Sequence, residues 1–406
     1  MKNAVQQSNE QERKVLISGG GIAGLTLGIL LNRNGWDPVI VERDPAFRTS
    51  GYMMDFFGTG WDVAERMGVI EEIQRVRYPF EYREYVDQQG RPRFPRIPLE
   101  QISQAFYGKS VSIRRPDLAR ILYNRATSEG VSVRFGTTIE KVRETDMEVE
   151  AQFNNGDTDS FRLLFGADGV HSRVREMVFG PVSVRERFLG YYVAGCDLES
   201  SGYDLGDSVK VYEEPGRAAW FYPLKDRMEA LYFFSFGHVG HLPHEKRLPF
   251  VRERYKGAGW IAEKVLQKLP ESEPTYFDSM TQKRLPSWQK GRVALLGDAC
   301  GCLTPLASQG SHMAMAAAFI LAQELQRHSG DHRRAFLAYE DFLKPIVSRK
   351  QDLASHLAHR FIPRMHTPLF LRYLAFRLAF SPLFIRHFLA SFGGKSILDR
   401  YPALRS

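Results

Sequence analysis

The sequence predicts an α/β fold with a second, sheet-based lobe and a helical C-terminal region. Residues 14–44 alternate short apolar runs with a helical pattern, which is typical of a parallel sheet covered by helices. Residues 183–285 hold aromatic-rich runs separated by Gly, Pro and Asp, which indicates a further sheet. Residues 369–392 are apolar with interspersed Arg and His, and Pro382 is expected to divide them into two helices.

A glycine spacing follows the first apolar run, Val15–Ile17. Gly19, Gly21 and Gly24 form a GxGxxG pattern between a strand and a helix, and Glu42 ends the next strand. Such glycines allow a tight turn, the approach of a pyrophosphate and close helix–sheet packing, while an acid at this distance accepts ribose hydroxyls. The helix N-terminus attracts phosphate. The segment therefore predicts a dinucleotide site with the candidate residues Gly19, Gly21, Ile22, Ala23, Gly24, Glu42 and Arg43.

A second glycine pattern, Gly257–Ala262, reads as GxGxxA. It follows the charged, helical-looking run VRERYK rather than a strand. We interpret it as a helix end and turn. The chain is therefore expected to hold one dinucleotide site.

Composition and charge exclude several classes of protein. With 43% hydrophobic and 25% charged residues, the 406-residue chain is expected to be globular and to hold more than one domain. Its three cysteines form neither a disulfide framework nor a zinc spacing, which favours a reducing, cytoplasmic location. From Ser355 onward eight Lys or Arg face one acid, which accounts for +7 of the net charge of +8. The nearly neutral remainder argues against nucleic acid as a partner.

Further elements are predicted on both sides of the aromatic lobe. Before it we expect an irregular glycine-rich loop over 45–60, a short helix over 62–67, β-structure over 77–113, a helix opened by Arg115 and Pro116, and a β-meander over 131–165 that ends at Gly166–Gly169. After it we expect a buried strand over 292–296 and a helix over 312–325. The aromatic strands themselves suit either an ordinary core or a ring-shaped ligand.

Three motifs now stand in order along the chain. They are Gly19–Gly24 with Glu42, Gly166–Gly169 with Ser172 and Arg175, and Gly297–Ala299 with Pro305 and Gly310. Over residues 14–345 this combination resembles the single-component, class A flavoprotein monooxygenases of the para-hydroxybenzoate hydroxylase fold. The resemblance implies a Rossmann-like FAD-binding domain of that type with a mixed β-sheet substrate domain.

The resemblance also assigns roles to individual residues. It implies that Asp298 contacts the ribitol or ribose of FAD and that the helix beginning near Gly310, after Pro305, directs its N-terminus toward the flavin pyrimidine. Arg115 matches an arginine that contacts the cofactor. Asp168 matches an aspartate associated with both FAD and the nicotinamide donor, although the same residue also suits a turn or strand cap.

Within that family the sequence is most similar to the tetracycline-inactivating monooxygenases. Residues 50–55, ending at Asp55 and followed by Gly58, resemble a segment whose aspartate lies beside FAD. Arg48 falls near an arginine used around NADPH, although a surface arginine is usually only solvated. Ser308 stands where the family has glycine, a departure that bears on the position of the flavin and on the substrate.

The implied chemistry is reduction of FAD by NADPH or NADH, formation of a flavin C4a-hydroperoxide with O2, and transfer of one oxygen atom to an aromatic or polycyclic, polyketide-like phenol or enol. Tetracycline-type substrates fit this description. A natural-product tailoring hydroxylase or epoxidase and a non-oxygenating flavin-binding protein remain as alternatives. We predict no metal and name no general base, because His312 and His238 also suit structural roles.

We predict four divisions of the chain. Residues 1–13 form a polar tail; 14–75, 105–182 and 286–345 form the FAD-binding domain; 76–104 and 183–285 form the substrate domain; and 346–406 form the helical C-terminal region. This last region is expected to close the substrate pocket, as a terminal helix does in the relatives, or to touch acidic membranes through its basic apolar surface. A monomer or a dimer is expected.

Overall fold

The computed structural model describes residues 13–48, 51–180, 184–199, 202–240, 242–271, 276–304, 309–358, 361–362, 371, 373–374, 378 and 396–404. The strands are β1 Lys14–Ser18, β2 Asp37–Glu42, β3 Met53–Phe57, β4 Tyr82–Val86, β5 Ile97–Pro98, β6 Ser110–Arg114, β7 Ser132–Phe135, β8 Ile139–Glu144, β9 Val149–Phe153, β10 Thr158–Phe161, β11 Leu163–Gly166, β12 Arg185–Glu199, β13 Ser208–Glu214, β14 Arg217–Pro223, β15 Arg227–Ser235, β16 Tyr276–Arg284, β17 Gln289–Lys290 and β18 Val293–Leu295. The helices are α1 Ile22–Arg33, α2 Gly58–Met67, α3 Ile70–Arg75, α4 Glu100–Ala105, α5 Arg115–Ser128, α6 Arg173–Phe179, α7 His244–Tyr255, α8 Ala262–Lys268, α9 Asp298–Gly301, α10 Gly310–Arg327 and α11 His332–Ala358.

A six-stranded sheet in the order β17-β18-β11-β1-β2-β7 carries the first glycine motif. Its strands are parallel except for β17, which pairs antiparallel with β18. Val15, Leu16 and Ile17 are fully buried because helices cover both faces of a parallel sheet. The strand–helix–strand arrangement of residues 14–42 is therefore confirmed.

The second large sheet has seven strands in the order β16-β12-β15-β14-β13-β4-β5. Its two faces have different partners because side chains alternate along each strand. On β14, Ala219 and Phe221 pack with α7 and α8. Trp220 and Tyr222 point to the opposite face and pack with Met53 of β3. The sheet predicted over 183–285 is thus confirmed, with β4 and β5 added at one edge.

The loop predicted over 45–60 is partly wrong. Residues 53–57 form β3, which pairs antiparallel with β6, and α2 begins at Gly58 rather than at Asp62. The partner strand lies more than 50 residues further along the chain, so local composition did not reveal it. The β-structure predicted over 77–113 is also interrupted, because residues 100–105 form α4.

The other local predictions hold. The meander over 131–165 contains the three-stranded sheet β10-β9-β8 and returns to the first sheet at β11. Helix α5 has a proline in its first turn, as predicted. Gly257 follows the end of α7 with a φ of 72° and α8 begins at Ala262, so the second glycine pattern is a turn between helices.

The two helices predicted over 369–392 lie almost entirely outside the described residues. Among the residues that are described, the Tyr373 ring stacks on Phe94 with 4.2 Å between centroids, and its hydroxyl donates to the Pro95 carbonyl. Residues 396–404 pack into the core around the six-stranded sheet, where the Tyr401 hydroxyl donates to Glu324 at 2.6 Å. Helices that could cross a membrane are lacking among the described elements.

Candidate functional site

The first glycine loop forms a cradle at the C-terminal end of β1. Gly19 has a φ of 110°, which favours glycine, and its N–H donates to the Val41 carbonyl at 2.7 Å. A Cβ at Gly24 would lie only 2.0 Å from the Gly19 carbonyl oxygen, so α1 can approach the strand only with glycine there. A Cβ at Gly21 would meet nothing within 4 Å. The loop therefore leaves space in front of the α1 N-terminus.

Glu42 closes one side of this cradle. One carboxylate oxygen accepts from the Gly20 N–H at 2.8 Å and the other from the Asp44 N–H at 3.1 Å. Its carboxylate is thus fixed beside the glycine loop, where an adenosine ribose would lie. Arg43 is exposed next to it, whereas Ile22 and Ala23 are buried in the first turn of α1.

The Gly297–Asp298 turn follows β18, two strands from β1 in the sheet, and meets the same helix. Gly297 has a φ of 62°, and a Cβ there would lie 3.2 Å from the Ala23 side chain. Burial raises the pKa of the Asp298 carboxyl, while the nearby charge of Arg115 lowers it. Arg115 is itself held by its N–H, which donates to the Tyr52 carbonyl at 2.9 Å. The structure thus brings Asp298, Arg115 and the glycine cradle together.

Asp168 acts as a helix cap. Its carboxylate accepts from the Ser172 hydroxyl and from the backbone N–H groups of Arg173 and Val174, the latter two at 2.8 and 3.1 Å. These contacts satisfy donors at the start of α6. Burial raises the pKa of Asp168, although the hydrogen bonds lower it. The turn-and-cap interpretation therefore describes the contacts that this residue makes.

The buried Arg175 links the second motif to the third. Its guanidinium donates to the Ala299 carbonyl at 2.8 Å and to the Val170 carbonyl at 2.9 Å. The side chain is 2% exposed. Because Val170 lies two residues after Asp168 and Ala299 directly follows Asp298, this arginine fixes the two turns relative to each other.

The remaining predicted residues occupy different places. Arg48 is half exposed and forms an ion pair with Asp44. It also lies close enough to Arg115 for the two positive charges to repel each other. Asp55 is exposed on β3 and accepts from the Ser112 hydroxyl at 2.8 Å, so its described contact is away from the glycine cradle. Gly310 opens α10, and Lys350 donates to the preceding Gln309. Pro305 lies outside the described residues.

The sequence did not indicate that Tyr52 and Tyr276 would meet. The rings of Tyr52 and Tyr276 lie 5.0 Å apart, and burial raises the pKa of Tyr52 to about 12. Asp278, two residues after Tyr276 on β16, has its pKa raised to about 6 by burial and by the charge of Asp298. The aromatic residues Tyr276 and Phe277 at the start of β16 were the available signal, but Tyr52 is more than 200 residues away.

His312 and His238, which the sequence left without an assigned role, both make contacts typical of structural residues. His312 is 4% exposed, its Nε2 accepts from the Phe57 N–H at 3.1 Å, and its ring lies against Phe56 and Phe57. His238 is exposed and packs edge-on against Phe188. The described residues include no cluster of His, Cys, Asp and Glu that could hold a metal ion.

The cradle fits the diphosphate and ribose of a dinucleotide. Open space lies at Gly21, the α1 N-terminus has no side-chain cap, and carboxylates stand on either side at Glu42 and Asp298. Beyond Asp298 lie the aromatic rings of Tyr52 and Tyr276, which are tilted by 48° to each other. Fold and site together define a protein of the FAD-binding oxidoreductase class.

Comparison with known proteins defines the family. The family described as "FAD binding domain" matches residues 12–349, and the chain belongs to it. A flavin-dependent monooxygenase from an unknown prokaryotic organism is 32% identical over 356 residues, covering 86% of this chain and 90% of that protein. Another flavin-dependent monooxygenase, from Legionella longbeachae, is 29% identical with the same coverage. The chain is therefore a flavin-dependent monooxygenase of class A.

Solved structures agree with this assignment. The tetracycline destructase Tet(55) has a TM-score of 0.79 and 30% identity, covering 87% of this chain and 91% of that one. The tetracycline destructase Tet(51) has a TM-score of 0.77, also at 30% identity, over 87% and 93% of the two chains. Klebsiella pneumoniae HpxO with FAD, at 21% identity and a TM-score of 0.74, shares the fold over 95% of this chain and 98% of its own.

Proposed function

We propose that this monooxygenase uses NADPH or NADH and O2 to hydroxylate an aromatic or polycyclic phenol or enol, with tetracycline-type compounds among its substrates. The observation that carries the proposal is the junction at Asp298, where the glycine cradle meets the aromatic face of the seven-stranded sheet. The similarity to two tetracycline destructases supports the substrate class.

FAD, when bound, supplies the redox chemistry that activates O2. Gly19, Gly21 and Gly24 would hold its diphosphate, and Glu42 would hold its adenosine ribose. Asp298 and Arg115 would contact its flavin side. The α10 N-terminus near Gly310 would favour negative charge on the reduced ring.

The substrate domain contributes orientation and exclusion of water. Buried aromatic and aliphatic side chains on the inner face of the sheet leave a dry surface for a planar ring. Tyr373 contacts Phe94 beside the seven-stranded sheet and Ile397 contacts Thr59 beside the six-stranded sheet, so the described parts of the C-terminal region touch both halves of the molecule. This supports the pocket-closing role over a membrane-facing one.

The test is aerobic incubation of tetracycline with the purified protein, FAD and NADPH, followed by mass spectrometry. We expect a gain of one oxygen atom in the drug that disappears when NADPH is omitted. The matched control is Gly21→Ala, which should retain the fold but lose flavin and product together. Parallel reactions with NADH measure the nicotinamide preference.

Failure with tetracycline has two distinguishable forms. If NADPH is oxidised with other polycyclic phenols, the protein is a tailoring hydroxylase or epoxidase of the same family. If the flavin stays bound but NADPH is never oxidised with any phenol tested, the non-oxygenating alternative holds and the proposal is wrong.

A further inference from the structure

Arg83 on β4 lies over the ring of Trp220 on β14. The guanidinium carbon is 5.1 Å from the ring centroid, a cation–π distance. Both side chains also carry a buried donor, Arg83 Nε and Trp220 Nε1, that lacks a hydrogen-bond partner within the described chain. Several other buried atoms of the described residues, among them Arg175 Nε and Arg254 Nε, also lack a partner, but these two donors lie on neighbouring side chains.

Two other arginines in or beside this sheet are compensated. Arg114 pairs with Asp197 and Glu229, and Arg217 pairs with Glu214. For Arg83 the described residues supply no carboxylate within ion-pair distance. On the opposite face of β4 and β13, Glu84 and Lys210 are paired with each other. An unsatisfied buried donor destabilises the folded protein. A ligand oxygen would remove that cost.

The position of Arg83 relates it to the proposed substrate site. Trp220 and Tyr222 share the sheet face that packs against Met53 and the ring of Tyr276. Arg83 lies on this face too, because its charge acts on Tyr222 and its guanidinium covers Trp220. From β16 to β14 the sheet takes three inter-strand steps, about 14 Å in all. A single six-membered ring cannot bridge that distance.

We propose that Arg83 and Trp220 bind an anionic oxygen, a carboxylate or an enolate, at one end of a planar fused-ring substrate whose reacting end lies by Tyr52 and Tyr276. The inference rests on the proposed function and specifies its substrate class. The ring system stacks along the aromatic face, and the two N–H donors fix which end faces the flavin.

The charges around the face favour this orientation. The exposed carboxylate of Asp55 acts on the Tyr222 hydroxyl and repels an anion on its side of the face. Arg83 offers the complementary charge next to Tyr222. Arginine also binds a carboxylate or a pair of enolate oxygens with a planar fork that lysine lacks.

The experiment measures binding rather than turnover. The FAD-loaded, oxidised protein is titrated calorimetrically with 3-hydroxy-2-naphthoate and with 2-naphthol, which share a ring system and differ in the carboxylate. We expect the wild type to bind the carboxylate at least tenfold more tightly. Arg83→Met should abolish that preference while changing the affinity for 2-naphthol less than twofold, and Arg83→Lys should restore only part of it.

Two further variants keep the result interpretable. Trp220→Phe retains a ring but removes the donor, and it should weaken carboxylate binding about threefold to fivefold. Arg75→Met removes the same charge from exposed α3 and should change neither affinity. Without ligand, Arg83→Met should unfold at the same temperature as the wild type or higher, because an uncompensated donor is lost.

A wild type without preference for the carboxylate overturns the proposal. So does an Arg83→Met variant that loses affinity for both compounds equally or melts at a lower temperature, since those results indicate a packing role. Because no NADPH or O2 is used, these outcomes are independent of whether the protein oxygenates tetracycline.

Discussion

Glu229 and Arg114 join the seven-stranded sheet to the β3–β6 pair through a buried ion pair, with 2.9 Å between the carboxylate and Nε of the guanidinium. Glu229 is fully buried on β15, and its other oxygen accepts from the Met53 N–H of β3. Arg114 also pairs with Asp197 at 2.6 Å. Burial raises the pKa of Glu229 to about 7 although Arg114 lowers it, so hydrogen bonding contributes much of the contact.

Replacing Glu229 should therefore separate the contribution of hydrogen bonding to this contact from the contribution of charge. We expect Glu229→Ala to lower the free energy of unfolding by about 3–5 kcal/mol, because Arg114 and the Met53 N–H lose a buried partner. Glu229→Gln keeps an acceptor and should lose about 1–2 kcal/mol. Urea denaturation at pH 7 measures both, with exposed Glu71→Ala as the control. Equal losses for the two variants would contradict the hydrogen-bonding account.

Substitutions in the glycine cradle should separate effects on folding from effects on cofactor binding. Gly24→Ala places a Cβ against the Gly19 carbonyl and should lower apoprotein stability by about 1–3 kcal/mol. Gly21→Ala has room and an allowed φ of −83°, so the apoprotein should melt normally. Its FAD affinity should fall at least tenfold, about 1.4 kcal/mol. Unchanged FAD affinity in Gly21→Ala would place the diphosphate elsewhere.

Asp168 offers a test of capping against cofactor contact. Asp168→Ala removes acceptors from the α6 N-terminus and should cost about 1–2 kcal/mol of stability. Asp168→Asn retains an acceptor and should be nearly as stable as the wild type. Thermal unfolding and the KM for NADPH are measured on both variants. A raised KM in a stable Asp168→Asn protein would show that the charge also serves the nicotinamide donor.

Asp278 should give the apoprotein a pH-dependent stability. Its pKa in the folded chain is raised to about 6 from an ordinary 3.8, so folding favours the protonated form. The stabilisation is complete below pH 3.8 and is lost as the pH rises through about 6. Relative to the wild type, Asp278→Asn should gain up to about 3 kcal/mol between pH 4 and pH 8. A constant difference across this range would contradict the assignment.

Local patterns predicted the parts of the site that one segment builds. Gly19, Gly21, Gly24 and Glu42 lie within one strand–helix–strand unit, so their spacing alone defined the cradle. Contacts between distant segments were beyond such reasoning. The pairing of β3 with β6 depends on a partner more than 50 residues away, and the meeting of Tyr52 with Tyr276 depends on how the two sheets pack.

The strand order of the six-stranded sheet has a consequence for how the chain is made. β1 is synthesised first, yet Val15 pairs with Leu163 of β11, and β11 in turn pairs with Val293 of β18. At about 5–20 residues per second, the wait for residue 295 is roughly 15–60 s. Until residue 166 is made, β1 can pair only with β2, and from then until β18 is made the open apolar edge is that of β11. We expect chaperone supply during translation, rather than final stability, to limit the yield of folded protein.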